Sequence, residues 1–313
     1  MIWIIGSGNM ALEYAKILKH KKKTFKVVGR GLLSSSNFTK KTGIPVVSGG
    51  IENFLSFNKL IPTYAIVCVN INNLFDVTSK LIDHGVNKIL CEKPGALKIS
   101  QLKILDEKSK IKKIKLYIAY NRRFYTSVVK LKKIINKENG LKSLHFDFTE
   151  KSKKIEKLNH PSNVKSKWII ANSAHVIDTA FFLAGMPKEI ITMKKGSLNW
   201  HKKSSIFSGS GNTKNSVYFS YNANWNVPGN WKIELMTNKS RLLLQPMEEL
   251  KIINNDLSIS KISEKKIDYD TIFKPGLFRM ICLFEKNELT DFCTIEHQIK
   301  LLKLCNKIAG YKD

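Results

Sequence analysis

The feature that most constrains this chain lies near its first residue. Ile2–Ile5 is a short apolar run, and Gly6-Ser7-Gly8-Asn9-Met10-Ala11 follows at once. Ala11–Leu18 then has helical spacing, with Leu12, Ala15, Ile17 and Leu18 at the apolar positions. A Gly-x-Gly-x-x-Ala turn between a strand and a helix is the context that a dinucleotide-binding loop requires. Gly6 permits the tight turn, Gly8 lets the backbone approach a pyrophosphate, and Ala11 keeps the helix against its strand. The helix start at Asn9 and Met10 offers open N–H groups and the positive end of a dipole to the phosphates.

The next hundred residues repeat this alternation. Strands are expected at Phe25–Val28, Tyr64–Val69, Lys88–Cys91 and Ile114–Ala119. Helices are expected at Leu74–Leu81, capped by Gly85, and at Ile99–Lys108. Strand–helix alternation predicts βαβ units and a parallel sheet. The pattern changes after about residue 125. Helices are expected at Val128–Ile135 and at Asn172–Leu183, the latter stopping at Gly185, and a strand runs through Leu144, Phe146 and Phe148. From Ile190 to about Ile267 the chain reads as successive strands, clearest at Ser216–Tyr221, Lys232–Met236 and Arg241–Leu244. Segments such as Gly209-Ser210-Gly211-Asn212 read as their connections. Runs of strands without helices predict an open, mostly antiparallel sheet. Two helices, near Leu277–Lys286 and Ile295–Ile308, close the chain. The expected organisation is a dinucleotide-binding α/β domain over 1–120 and an α/β domain over 121–313, its closing helices packing back on the first.

Composition removes several function classes. No apolar run approaches the roughly 20 residues needed to cross a bilayer, and no secretory leader is visible, so a cytoplasmic protein without membrane partners is expected. The five cysteines, at 68, 91, 282, 293 and 305, are spaced for neither a disulfide framework nor a zinc site, and no metal-ligand cluster stands out. The net charge is +28, yet the lysines are scattered and accompany abundant Asn and Ile, as an AT-rich coding sequence would give. No nucleic-acid recognition motif is present, and no nucleic-acid partner is expected.

Three further segments carry chemistry. The second strand ends Val27-Val28-Gly29-Arg30. An acid at that place would bind the ribose hydroxyls of NAD, whereas Arg30 matches a 2′-phosphate, with Ser34, Ser35 or Ser36 as further donors. NADP is expected, NAD being the alternative. The strand Lys88–Cys91 runs into Glu92-Lys93-Pro94-Gly95, which puts Lys93 where substrates meet cofactors in such sheets. Tyr120-Asn121-Arg122-Arg123-Phe124 follows the last strand of the first domain. In Asn172-Ser173-Ala174-His175-Val176-Ile177-Asp178, His175 and Asp178 share a helix face.

With these motifs in this order, the chain resembles the Gfo/Idh/MocA oxidoreductases over nearly its whole length, including Lys274-Pro275-Gly276 before the closing helices. The resemblance implies an N-terminal Rossmann domain, a doubly wound parallel sheet, followed by an α/β domain with an open, mostly antiparallel sheet; it also implies a nicotinamide cofactor and a sugar, polyol or sugar-nucleotide substrate. It implies that Lys93 bonds the reacting oxygen and stabilises an alkoxide, and that His175 gives or takes the proton. Gly6, Gly8, Asn9, Met10, Arg30, Ser34, Asn70, Glu92 and Lys93 would hold the cofactor, Glu92 near the nicotinamide ribose. Tyr120, Asn121, Arg122, Asn172 and Asp178 would line the substrate side. The chain departs from the family at Ala171, where many members have an aspartate, and Asn172 is the nearest substitute. Asn70-Ile71 replaces a Thr-Pro turn, and Phe75 a histidine. A homo-oligomer, dimer or tetramer, is also implied. The competing reading is a non-catalytic, dinucleotide-sensing regulator on the same fold, which would need neither Lys93 nor His175.

Overall fold

The computed structural model describes residues 1–261 and 268–312. The tail of the expected strand series, 262–267, lies outside the described residues. The chain divides into two compact units, Met1–Tyr120 with Leu289–Lys300, and Asn121–Glu288 with Leu301–Lys312.

The first unit contains β1 (Ile2–Ile5), α1 (Asn9–His20), β2 (Phe25–Val28), α2 (Leu32–Thr42), β3 (Val46–Val47), α3 (Gly50–Phe57), β4 (Tyr64–Val67), α4 (Leu74–Asp83), β5 (Lys88–Glu92), α5 (Ile99–Ile111) and β6 (Lys115–Ala119). These strands pair in parallel in the order β6-β5-β4-β1-β2-β3. All four residues of β1 are buried, as a strand covered on both faces requires. Strand order reverses beside β1, so the crevice at its carboxyl end is the natural ligand site of such a sheet. The helix α4 ends where Gly85 takes a φ of +88° and the Val86 N–H returns to Leu81 O.

The second unit contains α6 (Thr126–Lys137), β7 (Ser143–Asp147), α7 (Ser152–Glu156), α8 (Ser162–Lys165), α9 (Ala174–Ala184), β8 (Pro187–Lys195), β9 (Ile206–Thr213), β10 (Tyr218–Asn224), β11 (Lys232–Met236), β12 (Ser240–Leu244), β13 (Leu250–Asn254), β14 (Ile259–Lys261), α10 (Tyr269–Ile272) and α11 (Leu277–Lys286). Among the described residues its eight strands run β14-β13-β12-β11-β7-β10-β9-β8, antiparallel except for β7 with β10. This matches the expected mostly antiparallel sheet. On one face Phe181 of α9 meets Phe146 edge-on at 5.6 Å and Phe219 at 5.1 Å, forming the centre of an aromatic core. A last strand, β15 (Cys293–Thr294), pairs antiparallel with β6, and α12 (Ile295–Ala309) ends the chain.

Three local expectations need correction. Gly209-Ser210-Gly211-Asn212 is no connection but the middle of β9. A Cβ at Gly209 would meet Ile191 O and the Tyr221 hydroxyl, and one at Gly211 would meet Glu189 O, so glycine lets β8 lie close. Ser216 is not in a strand: its φ of 58° belongs to the turn after β9, and β10 starts at Tyr218. Asn172 does not open the α-helix, because Ile169–Ser173 forms a π-helical turn before α9.

Candidate functional site

The first unit presents a cradle at the end of β1. Gly6 has a φ of +128°, and a Cβ there would sit 2.5 Å from Cys68 O, so the tight turn requires glycine. Gly8 differs: a Cβ there would meet nothing within 4 Å, leaving open space above the backbone. Gly8 caps α1 without a side-chain hydrogen bond, and the first turn holds no acid. The amides of Asn9 and Met10 are therefore oriented for an anion. A pyrophosphate fits these features. Ala11 is fully buried, as close helix–strand packing demands.

Arg30 lines a cleft of about 120 Å³ with Gly6, Gly29 and Gly50. The Ser7 hydroxyl donates to Ser34 Oγ at 3.0 Å, and Ser34 Oγ donates to Gly31 O at 2.9 Å, which joins the glycine turn to the start of α2. Ser35 is buried under Gly29 and is not on offer to a ligand. Asn70 is exposed just beyond β4. The end of β2 carries no acid, but two reach the cleft from elsewhere: Asp76 of α4 and Glu52 of α3 line it, and Glu52 pairs with Lys80 of α4. The hydrogen bond from Lys80 holds the Glu52 carboxyl below its usual range. Glu52 lies outside any spacing rule for β2, so the sequence motif could not reveal it.

At the end of β5, Glu92 Oε1 accepts a hydrogen bond from the Tyr14 hydroxyl at 2.7 Å. Burial, then the Glu92 charge, pushes the Tyr14 hydroxyl well above its usual pKa, so it stays a donor. This contact ties α1 to the Glu-Lys-Pro segment. The signal was a tyrosine within the buried stripe Ala11, Ala15 and Leu18, since a buried hydroxyl needs a partner. Lys93 is part-exposed, and Pro94 O accepts from the buried Gln298 amide at 3.0 Å. Burial raises Cys68 well above its usual pKa and Cys91 to about 12, which leaves no thiolate nucleophile at either strand end. Tyr120 is fully buried and offers no surface to a substrate.

In the second unit the expected substrate-side residues separate. Asn121 donates its amide to Pro275 O at 2.9 Å, and a Cβ at Gly276 would collide with Asn121 O. Asn121 thus anchors the Lys274-Pro275-Gly276 segment and does not face a substrate. Asp178 is fully buried and accepts from Arg123 Nε at 2.8 Å and Nη2 at 2.5 Å. Its carboxylate makes a bidentate pair with Arg123 and is buried, in place of the exposed position that direct contact with a substrate needs. Asn172 Nδ2 and Ser173 Oγ donate to Glu150 Oε1 at 3.0 and 2.7 Å. Glu150, which the sequence did not single out, is held by the π-helical turn. His175 is 7% exposed, and its ring centroid lies 6.3 Å from that of Trp231. The Arg122 guanidinium lies 4.6 Å over the Trp231 ring. His175, Trp231 and Arg122 therefore form one continuous group.

Comparison with known proteins extends this picture. Residues 1–120 match the oxidoreductase family with an NAD-binding Rossmann fold, GFO_IDH_MocA. No curated protein matches the sequence. Solved structures similar over the whole chain include UDP-N-acetylglucosamine 3-dehydrogenase from Acidithiobacillus ferrooxidans, with a TM-score of 0.77 at 13% identity, covering 99% of this chain and 96% of that one. An oxidoreductase from Agrobacterium radiobacter in complex with NAD+, L-tartaric acid and magnesium gives 0.77 at 14% identity, over 97% and 94%. A Gfo/Idh/MocA family oxidoreductase from Vibrio cholerae gives 0.78 at 13% identity, over 99% and 96%. At these identities the likeness establishes the fold. No helix among the described residues is long and apolar enough to cross a membrane.

Proposed function

We propose, from the match of residues 1–120 to the Gfo/Idh/MocA oxidoreductase family, that the protein transfers a hydride between NADP(H) and a carbinol or carbonyl carbon of a sugar, polyol or sugar nucleotide. The observation that carries this reading is the presence, on one parallel sheet, of an open glycine cradle after β1 and Glu92-Lys93-Pro94 after β5. The nicotinamide supplies the hydride acceptor or donor. In the oxidative direction the Lys93 ammonium donates a hydrogen bond to the reacting hydroxyl oxygen and stabilises the alkoxide as negative charge develops. His175 accepts the hydroxyl proton, and in the reverse direction returns it to the carbonyl oxygen. Glu92, oriented by the Tyr14 hydroxyl, would hold the nicotinamide ribose. Arg30, supported by Ser34, supplies the charge for a 2′-phosphate. The reading also includes a cytoplasmic location. It includes a homo-oligomer, dimer or tetramer.

Turnover of NADP(H) should be screened against sugars, polyols and UDP-, GDP- and CMP-linked sugars. On the substrate so found, Lys93→Ala is expected to abolish turnover while NADPH binding stays within about two-fold. Activity that survived this change would contradict the mechanism.

A further inference from the structure

Two consecutive arginines, Arg122 and Arg123, have opposite fates in the second unit. Arg123 is 4% exposed and has its charge met by Asp178. Arg122 makes no such bidentate pair: Glu248 and Glu150 act on its charge, but its Nε is buried and finds no hydrogen-bond acceptor among the described residues. Its flat face lies 4.6 Å from the Trp231 ring and 5.8 Å from the Tyr125 ring. Aromatic faces support the cation but do not accept the N–H groups in its plane. Burial lowers the pKa of Arg122, a sign that water no longer solvates the charge fully.

Arg122 lines a cavity of about 530 Å³ with Glu150, Lys151, Trp231 and Glu248. The two acids have donors of their own. Glu150 Oε1 holds Asn172 and Ser173, and Glu248 is hydrogen-bonded to the Tyr125 side chain. What remains unmet beside the cavity is the Arg122 Nε–H, a donor that matches a planar or tetrahedral oxyanion. Trp231 links this edge to His175.

We infer that Arg122 is a specificity residue that binds an oxyanion, a carboxylate or a phosphate, carried by the substrate. The inference rests on the proposed sugar-directed activity and narrows it: the substrate is an acidic or nucleotide-linked sugar, because a neutral polyol would leave a buried donor without a charged acceptor.

The test is calorimetric titration of the full chain with D-glucuronate, inorganic pyrophosphate and, as the neutral probe, D-glucose. At least one charged probe is expected to bind ten-fold or more tightly than glucose, and which one identifies the oxyanion. Arg122→Gln should remove that preference, and Arg279→Gln, at an exposed arginine, should keep it. The inference is overturned if wild type shows no preference for either charged probe, whatever the stability of the variant. It is also overturned if Arg122→Gln, folded by circular dichroism, binds them as wild type does. NADPH titrated into the same wild-type sample separates the two readings. If NADPH does not bind while the charged probe does, the oxidoreductase reading falls and the assignment of Arg122 stands.

Discussion

In the proposed reading, one side chain, Arg30, sets the NADP preference that the rest of the loop leaves open. It borders the cleft beside Gly6 and Gly29, where an acid would favour ribose hydroxyls. A charge-assisted hydrogen bond contributes about 1.5–3 kcal/mol, so Arg30→Ala should weaken NADPH by roughly 10-fold or more. NADH should change by less than about two-fold. Titration of both cofactors by fluorescence measures this, and equal losses would contradict a 2′-phosphate role. The residues that could be read from sequence were those whose spacing encodes a local geometry: Gly6 by its turn, Ala11 by its helix packing, Arg30 by its place after β2. Residues whose role depends on a distant partner could not be read that way. Tyr14 becomes meaningful only with Glu92, and Glu52 only with the cleft. Arg122 and Arg123 are adjacent in the chain, and only the fold gives one of them Asp178 and the other Trp231.

At the level of elements, hydrophobic period was a reliable guide where one face is apolar and continuous. β1, β4 and β5 are buried runs, and α1, α4 and α11 have clear stripes. α2 was not foreseen because it buries only Ser35 and Phe38 and leaves Leu32 and Leu33 exposed. Its serines read as loop or ligand residues. β9 was split for the opposite reason: its glycines look like a turn but serve close strand packing. Gly211→Val would force its side chain into the backbone of β8, so the variant should lose at least about 1–3 kcal/mol, the usual cost of overpacking. Urea denaturation followed by circular dichroism measures it. Unchanged stability would mean that β8 does not lie against Gly211.

For the whole molecule, two sheets of different character account for the two halves of the sequence. The parallel sheet lies mainly within residues 1–120, the stretch that matches a family model described as an NAD-binding Rossmann fold. The net charge is +28, and a basic surface raises the local concentration of anionic ligands. The central claim is that the β1–α1 turn holds a dinucleotide, and Gly8 tests it most directly. The backbone of Gly8, at φ −89° and ψ −168°, is open to any residue, and its Cβ position is empty. A valine there should leave the fold intact and place methyl groups where the pyrophosphate must approach. NADPH titration of Gly8→Val, with thermal unfolding measured without cofactor, is therefore decisive. The expected result is an unfolding midpoint close to wild type and NADPH affinity reduced about 100-fold or more, equivalent to ~2.7 kcal/mol. Undiminished NADPH binding by a folded Gly8→Val protein would contradict the account.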